Sequence, residues 1–341
     1  WRLVPSDRAR NNITVVMGFM PSWWEHEYGI KFGRNFHLDR KFHVDSLVRM
    51  EQLLLDRFGD LPDFSHGEDY SGGCAFERMW GDALIPALFG CEVSFDGPSG
   101  HPYAYELGLD DSRVQGLTIP DIESHPVTQS LRPRGDREAL GMKGELGFEG
   151  VINVAYKLRG QQLFVDMVDA PERARHIFEV VWKTIDEFVR MVRTWQDPLV
   201  DRPTYFVNCN CMVNMLSPQM YEEQLLEFDK RFAQQFELFG IHTCNWTVDP
   251  YLDSIKQIQD LAYLDMGADS NLEKVHELFP RLYPAVFLHP EEFRSLSPED
   301  ITKEVTRIGK ALGKGYVLLS DLEVGTSDNQ IRAAYEAAAC S

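Results

Sequence analysis

The feature that most narrows the fold is an alternation that fills the second half of the chain. Short apolar runs predict strands over residues 204–211, 262–266, 285–289 and 316–320, with a further strand ending at 242–246. Between and after them, helical spacing of apolar residues predicts helices over 217–239, 249–258, 272–278, 297–312 and 328–339. Strand followed by helix, repeated five times in short units, implies a parallel sheet, either closed into a barrel or doubly wound. No G-x-G-x-x-G follows any of these strands, so nothing supports a dinucleotide-binding sheet. The expectation is an α/β protein, a (β/α)₈ TIM barrel with an insertion in its N-terminal half.

The N-terminal half must then supply the first strands. Residues 13–19 read as a buried strand stopped by Pro21, after an irregular, basic lead-in over 1–12. Trp23-Trp24-Glu25-His26-Glu27-Tyr28 and Phe32-Gly33-Arg34-Asn35-Phe36-His37 follow; such aromatics either line a cleft or cover the barrel mouth. Residues 44–58 read as a helix and 60–73 as an acidic, Gly-rich loop. A compact apolar stretch over 79–91 carries one carboxylate, Asp82, in its middle. Residues 97–143 form an excursion rich in Pro, Gly and Asp within one domain spanning 1–341. Residues 147–156 are a strand or the start of a helix, and Pro171 opens a long helix with Ile177, Val180, Val181, Ile185, Val189 and Val192 on one face.

Composition limits the partners. A formal charge of −19 disfavours nucleic acid and anionic membranes, which are bound through Lys/Arg surfaces. It leaves open an anionic small molecule, which needs only a local cluster. Six Cys without regular spacing fit a reducing compartment better than a disulfide framework. No apolar run approaches the ~20 residues of a spanning helix, and no charged-then-apolar leader is present. Trp1 in place of Met suggests that the natural start lies upstream. The expectation is a cytoplasmic protein.

In a barrel the working residues lie at the C-terminal ends of strands, which converge on one pocket. Those ends read Asn208-Cys209-Asn210-Cys211, His242-Thr243-Cys244, Asp265, His289 and Asp321-Leu322-Glu323. Residues two apart on an extended segment face the same side, so His242 and Cys244 would face the pocket together. An imidazole beside a thiolate is a pair of ligands for zinc or another borderline-soft metal. A buried His and an inert buried Cys are the plainer reading. A site needs at least three protein ligands; the candidates for the third are Glu323, Asp321, Cys211 and Cys209. Asp265 and Asp321 could instead orient the imidazole, and His289 is either a working residue or a core histidine bonded to backbone.

These motifs resemble the uroporphyrinogen decarboxylase superfamily across nearly the whole chain, a group that includes decarboxylases and zinc-dependent methylcobamide:thiol methyltransferases. The resemblance is carried by Gly81-Asp82-Ala83-Leu84-Ile85-Pro86 with Gly90-Cys91-Glu92-Val93, and by Tyr156-Lys157-Leu158-Arg159-Gly160. It continues through Asp166 to Pro171-Glu172, Leu216-Ser217-Pro218-Gln219-Met220-Tyr221, Ile241-His242-Thr243-Cys244, and Leu319-Ser320-Asp321-Leu322-Glu323-Val324-Gly325-Thr326. It implies a (β/α)₈ barrel. Asp82 looks like the decarboxylases' catalytic aspartate and Tyr156 like their active-site tyrosine. Their N-terminal arginine cluster is represented only by Arg34, Arg40 and Lys41. The methyltransferases carry H-x-C and a later Cys as zinc ligands; His242 and Cys244 match, and Leu322 stands where the later Cys is expected.

What the resemblance implies is a zinc-dependent enzyme moving a methyl group to a thiol-type acceptor, with a methylcobamide donor carried by a separate corrinoid protein. His242, Cys244 and Glu323 would hold the metal, with Cys211 or Asp321 as alternates. Asp82, Tyr156 and His289 would be catalytic. The alternative is a metal-free lyase of the decarboxylase type using Asp82 and Tyr156, and a third reading is a binding protein that kept the barrel and lost the chemistry. A small-molecule substrate fits each, and barrel enzymes as a class often form homodimers.

Overall fold

The computed structural model describes residues 13–62, 64, 79–132, 145–195 and 205–340. The expected lead-in and most of the expected acidic loop lie outside them. Strand β1 (Ile13–Phe19) is followed by a small antiparallel pair, β2 (Val93–Ser94) and β3 (Tyr103–Ala104). The regular part then supplies β4 (Glu145–Glu149), β5 (Tyr205–Cys209), β6 (Leu238–His242), β7 (Leu261–Gly267), β8 (Tyr283–Phe287) and β9 (Gly315–Leu322). Seven strands form one sheet in the order β1-β9-β8-β7-β6-β5-β4, and every pairing in it is parallel. Consecutive strands sit side by side because each crossover carries a helix, and β1 pairs with the last strand of the chain.

Helices pack on the outer face. Pro171–Arg193 buries Ile177, Val181, Ile185, Phe188, Val189 and Val192 as its spacing predicts. Ser297 and Ser327 start the last two helices by accepting from the backbone of Asp300 and Gln330, and Gln330 completes a capping box. On the inner face lies a separate apolar cluster of Tyr205, Val207, Tyr263, Ala285, Phe287, Tyr316 and Leu318, with Val16 against it. Side chains alternate along a strand, so the next inward positions are Cys209, Asp265, His289 and Ser320. The apolar floor therefore gives way to polar residues at the C-terminal ends.

The sheet is curled. Laid flat, five strand steps would put the ends of β4 and β9 about 24 Å apart. Yet the Asp82 charge acts on both Glu149, at the end of β4, and Asp321, at the end of β9. Among the described residues no pairing joins the two edge strands, β1 and β4; a short 3-10 turn, Gly81–Ala83, packs against β4.

Three local expectations change. The helix expected over 217–239 is two, Pro218–Gln224 and Leu226–Ala233, broken at Leu225 (φ −123°, ψ −33°). Its apolar tail, Leu238 and Phe239, is instead the start of β6, where both residues pair with β5. Residues 147–156 are a strand and a helix in succession, hinged at Gly150, where a Cβ would lie 2.1 Å from the Cys209 carbonyl oxygen. The excursion is partly ordered by Arg159, which donates to Asp166 (2.7 Å), to the Leu109 carbonyl (2.5 Å) and to Asp111 (2.5 Å). Two of the resemblance motifs thus meet in one buried ion pair.

The N-terminal aromatics settle into packing. Trp23 and Trp24 are buried with Ile30 in a satellite cluster, and His37 contacts the carbonyls of Met79 and Gly100 through its two ring nitrogens. No helix among the described residues is long and apolar enough to cross a membrane.

Candidate metal centre

The chain leaves β6 at His242 and turns at once. Cys244 has φ +62°, a left-handed conformation that a residue with a Cβ adopts at a cost of roughly 1–2 kcal/mol. Strand alternation therefore does not pair His242 with Cys244; the turn does. It brings Cys244 Sγ to 3.1 Å from His242 Nε2. Gly267 makes room for that turn, since a Cβ there would lie 2.1 Å from the Asn245 carbonyl oxygen.

The third member comes from the neighbouring strand. After β5, Asn210 donates its N–H to the His242 carbonyl at 2.7 Å, and Cys211 opens the turn Cys211–Met215. Cys211 Sγ then lies 3.1 Å from Cys244 Sγ. Behind it is a buried polar clamp. Asn208 and Asn210 donate to Asp229 at 2.6 and 2.9 Å, and the Tyr221 hydroxyl donates to the same carboxyl at 2.6 Å. Burial pushes Asp229 up to about 6, against the three hydrogen bonds that favour its charged form.

Cys211, His242 and Cys244 place their ligand atoms within 4.8 Å of one another, the one such trio of His, Cys, Asp or Glu among the described residues. Asp265, fully buried, holds the imidazole: its Oδ2 accepts from His242 Nδ1 at 2.6 Å and from the Tyr263 hydroxyl at 2.9 Å. Its Oδ1 accepts from the Thr243 N–H at 2.6 Å. The contact at Nδ1 fixes the ring so that Nε2 faces the sulfurs. Burial opposes charge on this imidazole, but the Asp265 charge and hydrogen bond outweigh it and raise its pKa well above the usual histidine value. The Cys211 thiol is pushed up as well, first by its contact with the Cys244 sulfur and then by burial. Two sulfurs and one oriented imidazole nitrogen are donors for zinc or a similarly soft ion, and a poor match for magnesium or calcium. The group could hold a metal.

The remaining candidates distribute around this trio. Glu323 lies in an ion pair with Arg294 (3.3 Å) at the surface and is not part of the trio. Asp321, with φ +60°, lies one residue before the end of β9; burial and the Asp82 charge raise its pKa, while His101 and His242 hold it down. Asp82 is exposed in its 3-10 turn and reaches the site through its charge. Tyr156 sits two helical turns beyond β4, hydrogen-bonded to Glu106 and tilted against Phe164. His289 follows β8, and its Nδ1 is buried without a hydrogen-bond partner.

One residue had no place in the sequence reading. Glu149 ends β4, is hydrogen-bonded to Asn153, and keeps Oε2 buried without a partner. Burial first, and then the Asp82 charge, raise its pKa well above the usual carboxylate value. Asn153 also accepts from the Met212 N–H at 3.2 Å, which ties Glu149 to the turn that carries Cys211. The signal was available: a strand ending at Gly150, rather than an undecided segment, puts Glu149 at a strand end.

No family model matches the chain, and no curated protein matches it. Among solved structures it is similar to a methyltransferase from Methanosarcina mazei, with a TM-score of 0.57 at 14% identity, covering 75% of this chain and 77% of that one. At that identity the likeness speaks for the fold alone.

Proposed function

We propose that the protein is a metal-dependent methyltransferase in which Cys211, His242 and Cys244 hold a zinc ion and a small thiol-type molecule accepts the methyl group. The observation that carries this reading is the Cys-His-Cys trio itself, with its imidazole oriented by a buried carboxylate. Three protein donors leave room for one exchangeable ligand, the pattern of catalytic rather than structural zinc. Zinc bound there would lower the pKa of an acceptor thiol and keep it as the nucleophilic thiolate.

The chain's own residues would do the rest. Asp265 fixes the His242 tautomer and ring plane. Glu149, with one oxygen hydrogen-bonded to Asn153 and the other buried without a partner, would take the proton that the acceptor thiol gives up. His289 and Asp321, at the ends of β8 and β9, would offer polar contacts to the substrate. We further propose that the curled sheet closes as a (β/α)₈ barrel, and that the methyl donor is a methylcobamide on a separate corrinoid protein. The likeness to a protein described as a methyltransferase agrees with this reading. A metal-free lyase would need Asp82 and Tyr156 to act together, and the Tyr156 hydroxyl is engaged with Glu106.

The test is the metal content of protein purified without chelator. The expected outcome is one zinc per chain, lost in Cys211→Ala and in Cys244→Ala, with methyl transfer from methylcobalamin to small thiols by the zinc-loaded wild type. Wild-type protein that takes up no zinc would sink the proposal.

A further inference from the structure

The two sulfurs of the trio are close enough to react with each other. Cys211 Sγ and Cys244 Sγ are 3.1 Å apart, and both are free thiols. A disulfide needs its sulfurs at about 2.05 Å, so a combined shift of about 1 Å, within the reach of side-chain rotation, would join them. Both residues are partly exposed, whereas Cys91 and Cys209 are buried. His242 Nε2 lies 3.1 Å from Cys244 Sγ, and its ring is held in place by Asp265. Two thiol sulfurs in contact, one to react with an oxidant and one to displace its oxygen, are the parts of a site that resolves a sulfenic acid into a disulfide.

We infer that Cys211 and Cys244 form a reversible disulfide when the protein meets a peroxide, and that this cross-link switches the metal centre off. The second half of that statement rests on the metal reading above. In the first step the Cys244 thiolate attacks a peroxide oxygen, the O–O bond breaks, and the departing hydroxide leaves as water after taking a proton. In the second step Cys211 Sγ attacks the Cys244 sulfenic sulfur; the S–S bond forms, the S–O bond breaks, and a second water leaves with the Cys211 proton. Two thiols lose two electrons and two protons, and one peroxide becomes two waters. The cross-link removes both thiolate donors and leaves His242 as the remaining member of the trio.

The full-length protein, once stripped by chelator and once loaded with zinc, is titrated with hydrogen peroxide. Intact mass, non-reducing peptide mapping and zinc release to a chromophoric chelator are followed together. The expected result is a mass loss of two hydrogens, a peptide containing Cys211 joined to one containing Cys244, and reversal by dithiothreitol. In the loaded protein zinc leaves in step with the cross-link. Cys211→Ser and Cys244→Ser each abolish it, and Cys340→Ser leaves it intact. A link to Cys209 instead of Cys244, or Cys244 advancing to sulfinic acid with Cys211 still a thiol, would overturn the inference. Zinc uptake without cross-linking sinks the disulfide and spares the metal centre. Cross-linking in a protein that never takes up zinc supports the disulfide and overturns the switch.

Discussion

At His242 the working nitrogen is the one that Asp265 leaves alone. Asp265 accepts from the imidazole, from the Thr243 N–H and from Tyr263, and it is fully shielded from water. A carboxylate so held keeps the ring in one tautomer and raises the basicity of Nε2. Asp265→Asn preserves the shape and removes the charge. The expected outcome is a zinc affinity lower by about 10–100-fold, measured by competition with a chromophoric chelator, while the far-ultraviolet circular dichroism stays that of wild type. An unchanged affinity would mean that the imidazole needs no orienting partner. At this scale the sequence offered His242, Cys244 and Asp265 as strand-end residues facing one pocket; in the structure Asp265 contacts His242 directly, and the turn after β6 brings Cys244 to it. It ranked Glu323 ahead of Cys211 as the third donor, because facing direction beyond a strand end depends on turn geometry that spacing does not encode.

The element that places Cys211 is the segment leaving β5, and its clamp is the Asp229 carboxyl between Asn208, Asn210 and Tyr221. Asp229 binds its proton more tightly in the folded protein, at about 6 against 3.8 in the unfolded chain. Between those values the folded state holds the extra proton, so this residue's contribution to stability falls as pH rises from about 4 to 6, by up to ~3 kcal/mol. Asp229→Asn should remove that slope, read as a flatter dependence of the denaturant midpoint on pH across the window. A slope unchanged in the variant would show that Asp229 is ionised throughout. The clamp was not legible in the sequence: Asp229 lies on the face of a helix whose break at Leu225 no capping signal announces, and only packing turns it inward.

For the whole molecule, the trio ties two segments separated in sequence, at the ends of β5 and β6, to the inner face of a curled sheet. A ligand that binds only this assembled state stabilises it by mass action, about 2.7 kcal/mol at a free concentration one hundred times its dissociation constant. Wild-type protein should therefore melt several degrees higher with zinc than with chelator, by scanning calorimetry, and Cys244→Ala should show no such difference. Equal shifts in both proteins would place zinc elsewhere. The curl matters here because it lets residues on β4, β6 and β9 act on one another's charges.

The sequence by itself determined the alternation of strand and helix, the parallel sense of the sheet, and the list of polar residues at its strand ends. These follow from local periodicity and from the chirality of crossovers, which act over a few residues at a time. Helix boundaries such as those at 272–278 and 328–339 were legible for the same reason. The tertiary structure decided which strand-end residues meet. Cys211 reaches Cys244 because Asn210 donates to the His242 carbonyl, Cys244 turns back through a left-handed residue, and Glu149 faces inward because β4 pairs in register with β5. Those contacts join residues tens of positions apart, and their free energy comes from shared burial that no single segment possesses alone.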